Sequence, residues 1–172
     1  MGAWSDERRR TSPAPSATPV PDAHREAWTT LWAAHAADDL PEALAQAHQL
    51  ERALEAEYGH LYPCSITVVT ARAWLTLCRR SDWPGTVELL IVTALRRHSI
   101  GARSQADTVR AARNAHAVWR LEVLPVDPQA ALGLADPLAD MLAILGETAL
   151  RRDVLTRAGE AFTRRPARQA AG

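Results

Sequence analysis

The sequence repeats a short acidic, proline-containing turn at nearly equal intervals. Runs of helical periodicity follow these turns at Ala43, Thr86 and Ala130, which are 43 and 44 residues apart. The turns read Asp38-Asp39-Leu40-Pro41-Glu42, Ser81-Asp82-Trp83-Pro84-Gly85 and Val126-Asp127-Pro128-Gln129. A period of this size is typical of helical solenoids, in which stacked helix pairs bury a continuous core. Because such folds present extended surfaces, the repeat favours binding over catalysis.

Apolar residues spaced three and four apart predict the helices that make up the pairs. The pairs cover about 22–37 with 41–58, 64–80 with 84–100, and 104–124 with 127–145, and a last helix over 148–162 caps the array. Gly59, Gly101 and Gly146 are the expected stop signals. We therefore expect an all-α helical-hairpin solenoid of about three pairs plus a C-terminal capping helix. Another all-helical bundle is the alternative.

The segment Ile66–Thr70 is ambiguous, because its β-branched residues also suit a strand. It lies between two helical patterns, which favours a helix. Composition separates the ends from this helical domain, which we predict over 24–163. Residues 1–23 contain four closely spaced prolines and predict a disordered arm, while Pro166 is expected to end the last helix and 164–172 to form a flexible tail. We expect residues 1–21 and 166–172 to be dispensable for folding, because they lack the apolar content to offset their ordering entropy.

The charge balance limits the possible functions. The 20 basic residues are all arginine, and 20 acidic residues bring the formal net charge to zero. Without lysine, the chain cannot form a standard phosphate-binding P-loop or a lysine Schiff base. A neutral balance also disfavours general nucleic-acid binding, which needs many uncompensated contacts to phosphate.

The two cysteines and the lack of apolar runs bear on the compartment. Cys64 and Cys78 fall on one predicted helix and would be ~21 Å apart, beyond the ~7 Å limit for a disulfide. Residues 1–23 lack the apolar core of a secretory leader, and no apolar run approaches the ~18 residues of a membrane span. We therefore expect a cytoplasmic protein with no membrane segment.

The residues that carry chemistry are scattered. No His-Glu-x-x-His or Cys-x-x-Cys spacing is present, so neither a metal nor another cofactor is predicted. Three histidines, His35, His48 and His116, lie near apolar helix faces, where a hydrogen-bonded packing role is the simplest interpretation. Trp28, Trp32, Trp74 and Trp119 are expected to anchor the core. We predict that the protein is not an enzyme.

Part of the sequence resembles a known repeat family. The stretch Leu50-Glu51-Arg52-Ala53-Leu54-Glu55-Ala56-Glu57-Tyr58-Gly59-His60-Leu61-Tyr62-Pro63 is similar to the inter-repeat signature of tetratricopeptide repeats (TPR). The closest variety is the long-period one of kinesin light chains and many bacterial regulatory proteins. Trp74-Leu75 and Ser81-Asp82-Trp83-Pro84 resemble that family's helix–turn–helix junction, and Asn114-Ala115-His116 resembles the Asn-Leu-Ala of its first helix. The resemblance covers roughly residues 24–146.

The resemblance implies a non-enzymatic adaptor or scaffold that binds a protein or peptide in a groove lined by the first helix of each pair. Arg110, Arg113 and Arg120 share one helical stripe, and Arg72 and Arg79 line a comparable stripe on the preceding first helix. Asn114 resembles the family's groove asparagine. Together these six residues predict a partner site for an acidic peptide or a terminal carboxylate. The alternatives are a solvated arginine face, a sensor that binds a small molecule between helices, and a nucleic-acid-associated regulator.

Overall fold

A computed structural model describes residues 20–169 of the chain, and side chains up to residue 163. Within this part the secondary structure is helical, with no strand. We number the main helices α1 Arg25–Ala36, α2 Leu40–Tyr58, α3 Pro63–Arg79, α4 Trp83–Ser99, α5 Gln105–Val118, α6 Pro128–Ile144 and α7 Thr148–Gln169. The predicted all-α class is confirmed.

The ambiguous segment Ile66–Thr70 lies inside α3, so the strand alternative is wrong. Its threonine hydroxyls are satisfied within the helix: Thr67 Oγ1 donates to the Pro63 carbonyl at 3.0 Å and Thr70 Oγ1 to the Ile66 carbonyl at 2.7 Å. Hydrogen bonds to the preceding turn let β-branched threonine sit in a helix. Burial of Ile66, Val68 and Val69 supplies the apolar face.

The repeated acidic turns are helix N-caps. The side chains of Asp39, Asp82 and Asp127 accept a hydrogen bond from the backbone N–H three residues later, at 3.1, 3.0 and 2.9 Å. The prolines that follow stand at the first or second helical position, where a missing N–H costs nothing. The repeat therefore reflects how α2, α4 and α6 begin.

The helices stop where the predicted glycines change the backbone direction. Gly101 and Gly146 have φ values of 58° and 76°, the left-handed region that glycine enters without steric cost. Two other stops use non-glycine residues in the same region, Asp38 after α1 and Arg80 after α3. Aspartate enters this region more readily than most residues, whereas arginine does so at a steric cost.

The chain divides into two compact units, one up to Arg72 and one from Ala73 onward, with the boundary inside α3. In the first unit α1 packs against α2. Val20 joins a buried cluster with Leu50 and Leu54 of α2 and Cys64 and Val68 of α3. The predicted arm over 1–23 therefore ends too late, because an apolar side chain at residue 20 belongs to the core. Residues 1–19 lie outside the described part of the chain.

In the second unit α4 packs against α5 and α6, and α6 packs against α7. Its core is aliphatic and alanine-rich around one large aromatic residue, Trp119, which is fully buried. The Trp119 indole N–H donates to the Ala131 carbonyl in the first turn of α6 at 2.8 Å. This hydrogen bond satisfies the only polar atom of a large buried ring, as expected for a core anchor. The predicted core role of Trp119 is confirmed.

After Val118, α5 continues through a π-helical segment, Trp119–Val123, and a helical turn, Leu124–Val126. Pro125 provides the physical reason: it has no N–H to donate to the carbonyl four residues earlier, and its ring would collide with that carbonyl. A π-helical widening removes the collision while the chain stays helical. The predicted first helix over 104–124 thus holds in extent but not in regular geometry.

The last helix runs to Gln169 and does not end at Pro166 as predicted. Proline's fixed φ near −65° is compatible with a helix, so the residue removes one hydrogen bond without forcing a stop. The predicted tail over 164–172 is therefore corrected up to residue 169, and residues 170–172 lie outside the described part. None of the described helices combines the length and apolarity that a membrane crossing requires.

Candidate partner-binding surface

Helix α5 has one exposed and one fully buried face. The side chains of Arg110 and Arg113 are 58% and 63% exposed. On the other side Ala112 and Ala115 are completely buried. Arg110 and Arg113 share one face of α5, and Ala112 and Ala115 share the other, because helical positions three or four apart lie on the same face. Two of the six predicted site residues are thus presented to solvent on one helix.

Acidic neighbours accompany both arginines. Arg110 Nη1 lies 3.3 Å from Asp107 Oδ1, one turn earlier on α5. Arg113 Nη2 donates at 3.1 Å to Oε1 of Glu147, the residue before α7. The side chains of Asp107 and Glu147 are 30% and 19% exposed, so the arginine is the more exposed partner in each pair. Each guanidinium has five N–H donors, so donors remain for an incoming carboxylate.

The other predicted site residues of the second unit have different settings. Arg120 is exposed and belongs to the π-helical segment, where the regular stripe of α5 is interrupted. Asn114 is half-buried on α5, and Arg79 is exposed in the last turn of α3. The predicted stripe of Arg110, Arg113 and Arg120 therefore follows α-helical geometry only as far as Val118.

Arg72 lies in the first unit and is engaged in an ion pair that the sequence analysis missed. Its Nε lies 2.5 Å from Oε2 of Glu51 on α2, and its Nη2 donates to Oε1 of the same carboxylate at 3.3 Å. The Glu51 side chain is 6% exposed and that of Arg72 25%. A two-point contact to a buried carboxylate commits this guanidinium to holding α3 against α2.

Arg97 is the most enclosed cation among the described residues. Its Nη2 donates to the carbonyls of Arg103 and Ser104 at 3.1 and 3.4 Å, and its Nε to Thr108 Oγ1 at 3.3 Å. Burial lowers the pKa of Arg97, while Asp107, 3.7 Å away, acts in the opposite direction. The guanidinium thereby ties the end of α4 to the loop and first turn of α5, which positions the helix carrying Arg110 and Arg113.

A second buried polar side chain, His116, links α5 to α7. His116, which is 6% exposed, is 2.9 Å from Asp153 Oδ2 of α7 through Nε2. Arg157 Nε donates to the other oxygen of Asp153 at 2.8 Å. Burial acts to raise the pKa of Asp153, but the hydrogen bonds from His116 and Arg157 outweigh it and lower the pKa. The predicted packing role of His116 is confirmed.

The two cysteines are free thiols, with Cys64 buried and Cys78 half-buried. Burial raises the pKa of both thiols. A raised pKa reduces the thiolate fraction that nucleophilic attack requires. In residues 20–169 no group of three histidine, cysteine, aspartate or glutamate side chains is placed to hold a metal ion.

The chain was also compared with known proteins. Neither the protein-family models nor the curated protein sequences give a match to it. The functional assignment therefore depends on the geometry of the chain itself, above all on the exposed arginines of α5.

Proposed function

We propose that this chain is a non-enzymatic adaptor or scaffold of the tetratricopeptide-repeat type, which binds a protein or peptide in the cytoplasm. Three features support the proposal: the all-helical fold, the repeated capped starts of α2, α4 and α6, and the family-like residues between Leu50 and Asn114. A solenoid of stacked helix pairs is part of the proposal.

The observation that carries the proposal is the pair of exposed guanidinium groups on α5, opposite a buried face. Each planar guanidinium can form a two-point contact with a carboxylate, which suits recognition of an acidic segment. Arg120 and Arg79 extend the proposed surface in the second unit, and Asn114 supplies an amide that can bind a peptide backbone. Arg72, in the first unit, is paired with Glu51.

The acidic neighbours make the surface selective. A partner carboxylate that binds Arg113 exchanges with Glu147 and leaves Glu147 to water. The guanidinium of Arg113 is well exposed, so a partner carboxylate can compensate the loss of the Glu147 contact, whereas a partner without negative charge cannot. The proposed partner is therefore an acidic protein segment.

Affinity capture on the immobilised full-length chain tests the proposed function. We expect a defined protein, retained at physiological salt, whose binding segment is acidic. Nucleic acid in the eluate, with a steep linear loss of binding on a log–log salt plot, would contradict the proposal. Recovery of a small molecule without any protein would contradict it as well.

Glu147→Gln is expected to tighten binding of the captured partner. The substitution removes the in-chain carboxylate that competes for Arg113, and an exposed pair of this kind is worth up to ~1 kcal/mol. The expected gain is therefore about twofold to fivefold in Kd, measured by isothermal titration calorimetry. Glu88→Gln, the same substitution at an exposed position on α4, is the matched control and should leave Kd unchanged. Weaker binding by the Glu147→Gln chain would contradict the exchange.

A further inference from the structure

Helices α6 and α7 expose large apolar side chains along their outer faces. Ile144 at the end of α6 is 55% exposed, and Leu155 and Phe162 on α7 are 44% and 65% exposed. Leu155 and Phe162 are seven residues apart and therefore share one face of α7. The inner face of the same helix is satisfied, because Val154 is fully buried. A capping helix that only shielded the core from water would carry polar residues outside.

Two glycines on these outer faces have no explanation within the described chain. Gly133 lies in α6 and Gly159 in α7, and both are exposed. A Cβ added at either position would meet nothing within 4 Å. Glycine inside a helix costs ~1 kcal/mol relative to alanine, so a position that tolerates alanine gains nothing from glycine in the isolated chain. Glycine is useful at both positions if a second molecule packs closely there, because the missing Cβ leaves room for it.

The charges on the two faces are complementary. Asp136 and Asp140 are exposed on α6, and Arg151 and Arg152 are exposed on α7. Asp140 precedes the end of α6 by four residues and Arg152 follows the start of α7 by four, so each lies ~6 Å along its helix from the connecting turn. Among the described residues no ion pair involves any of these four side chains.

The position of these charges is unfavourable for the isolated helices. Asp140 near the end of α6, Arg151 at the end of the first turn of α7 and Arg152 just beyond that turn oppose the helix dipoles, which favour the reverse arrangement. Helix stability therefore does not account for Asp140, Arg151 or Arg152. Contact with an oppositely charged surface at the same distance from the α6–α7 turn accounts for these three residues.

We propose that a second copy of this chain covers the outer face of α6 and α7. In a two-fold dimer with its axis along the helices, α6 of each copy lies against α7 of the other. Asp136 and Asp140 then face Arg151 and Arg152 of the second copy. Phe162 lies ~21 Å along α7 from the turn and Gly133 ~17 Å along α6, so the exposed ring falls near the open space at Gly133.

A second copy satisfies both faces at once, which a single acidic helix from another protein would not. Self-complementarity of one patch is the requirement of a two-fold interface. Here α6 contributes acidic residues with Gly133 and Ile144, and α7 contributes basic residues with Leu155 and Phe162. The dimer is independent of the proposed acidic-partner surface on α5.

Sedimentation equilibrium of the full-length chain and a charge-swap pair tests the dimer. The wild-type chain is expected at twice the monomer mass of 18.8 kDa. Asp140→Arg or Arg152→Asp alone converts two attractions per dimer into repulsions and should weaken dimerisation by about tenfold or more. The two substitutions combined in one chain restore opposite charges and should bring the dimer Kd back to within about threefold of wild type.

The swaps separate loss of the interface from loss of the fold. Each places a charge where the helix dipole favours it, so thermal unfolding of either single variant should be unchanged or slightly higher when followed as monomer. A wild-type chain that stays monomeric over the full concentration series would overturn the proposal. Failure of the combined variant to restore the dimer would overturn the α6-to-α7 pairing.

Discussion

Trp119→Ala is expected to lower the free energy of unfolding by about 3–5 kcal/mol, the range for removing a large aromatic side chain from a packed core. Trp119 is completely buried between elements that include α4 and α6, and its indole N–H holds the Ala131 carbonyl. Alanine would leave a cavity and remove the indole hydrogen bond to the Ala131 carbonyl at the start of α6. Urea unfolding followed by circular dichroism at a helical wavelength measures the change.

Trp119→Phe isolates the hydrogen bond from the packing. Phenylalanine keeps most of the apolar volume but removes the indole hydrogen bond to the Ala131 carbonyl, which is worth ~0.5–1.5 kcal/mol. We therefore expect this variant to lie between wild type and Trp119→Ala. Equal stability of all three chains would mean that the ring is not the anchor of the second unit.

Arg72→Met is expected to lower the free energy of unfolding by about 2–4 kcal/mol. The substitution removes the guanidinium that pairs with the almost fully buried carboxylate of Glu51. Removal of one partner of a buried pair typically costs 3–5 kcal/mol, and the partial exposure of Arg72 reduces this value. Urea unfolding of wild type and variant measures the loss.

The double variant Glu51→Leu with Arg72→Met provides the control. Replacement of a whole buried pair by apolar residues of similar volume is often neutral, so the double variant should recover most of the stability. Binding of the acidic partner should then match wild type. If Arg72→Met leaves stability unchanged but abolishes binding, Arg72 belongs to the partner surface, as its sequence position alone suggested.

Much of the fold follows from local signals in the sequence. The aspartate–proline turns predict the starts of α2, α4 and α6. The capping side chain and the proline both act on the first turn of their own helix, so no tertiary contact is needed to identify them. The stops at Gly101 and Gly146 are equally local. Two predicted boundaries are wrong because they depend on more than local sequence. Val20 is buried by residues of α2 and α3. The helix continues past Pro166 because the residues on both sides of the proline are helical.

The full or partial burial of three charged side chains, those of Glu51, Arg72 and Arg97, can be predicted from the sequence, but the residues that pair with them cannot. Glu51 follows Ala47 by four residues and precedes Leu54 by three, so it lies on the apolar stripe of α2. Arg72 and Arg97 occupy equivalent positions beside Val68 and Leu75 and beside Ala94. A charged residue on an apolar stripe signals a buried polar contact. Which residue completes that contact depends on tertiary packing, and for this reason Arg72 was assigned to the partner surface.

The most direct test of the proposed function compares Arg113→Ala/Arg120→Ala with Arg52→Ala/Arg103→Ala in binding the captured partner. Both double variants lose two positive charges from exposed positions, so they share any general electrostatic effect. We expect the first to weaken binding at least ~30-fold, or ~2 kcal/mol, with stability nearly unchanged, and the second to bind like wild type. Equal binding by the two double variants would contradict a partner surface on α5.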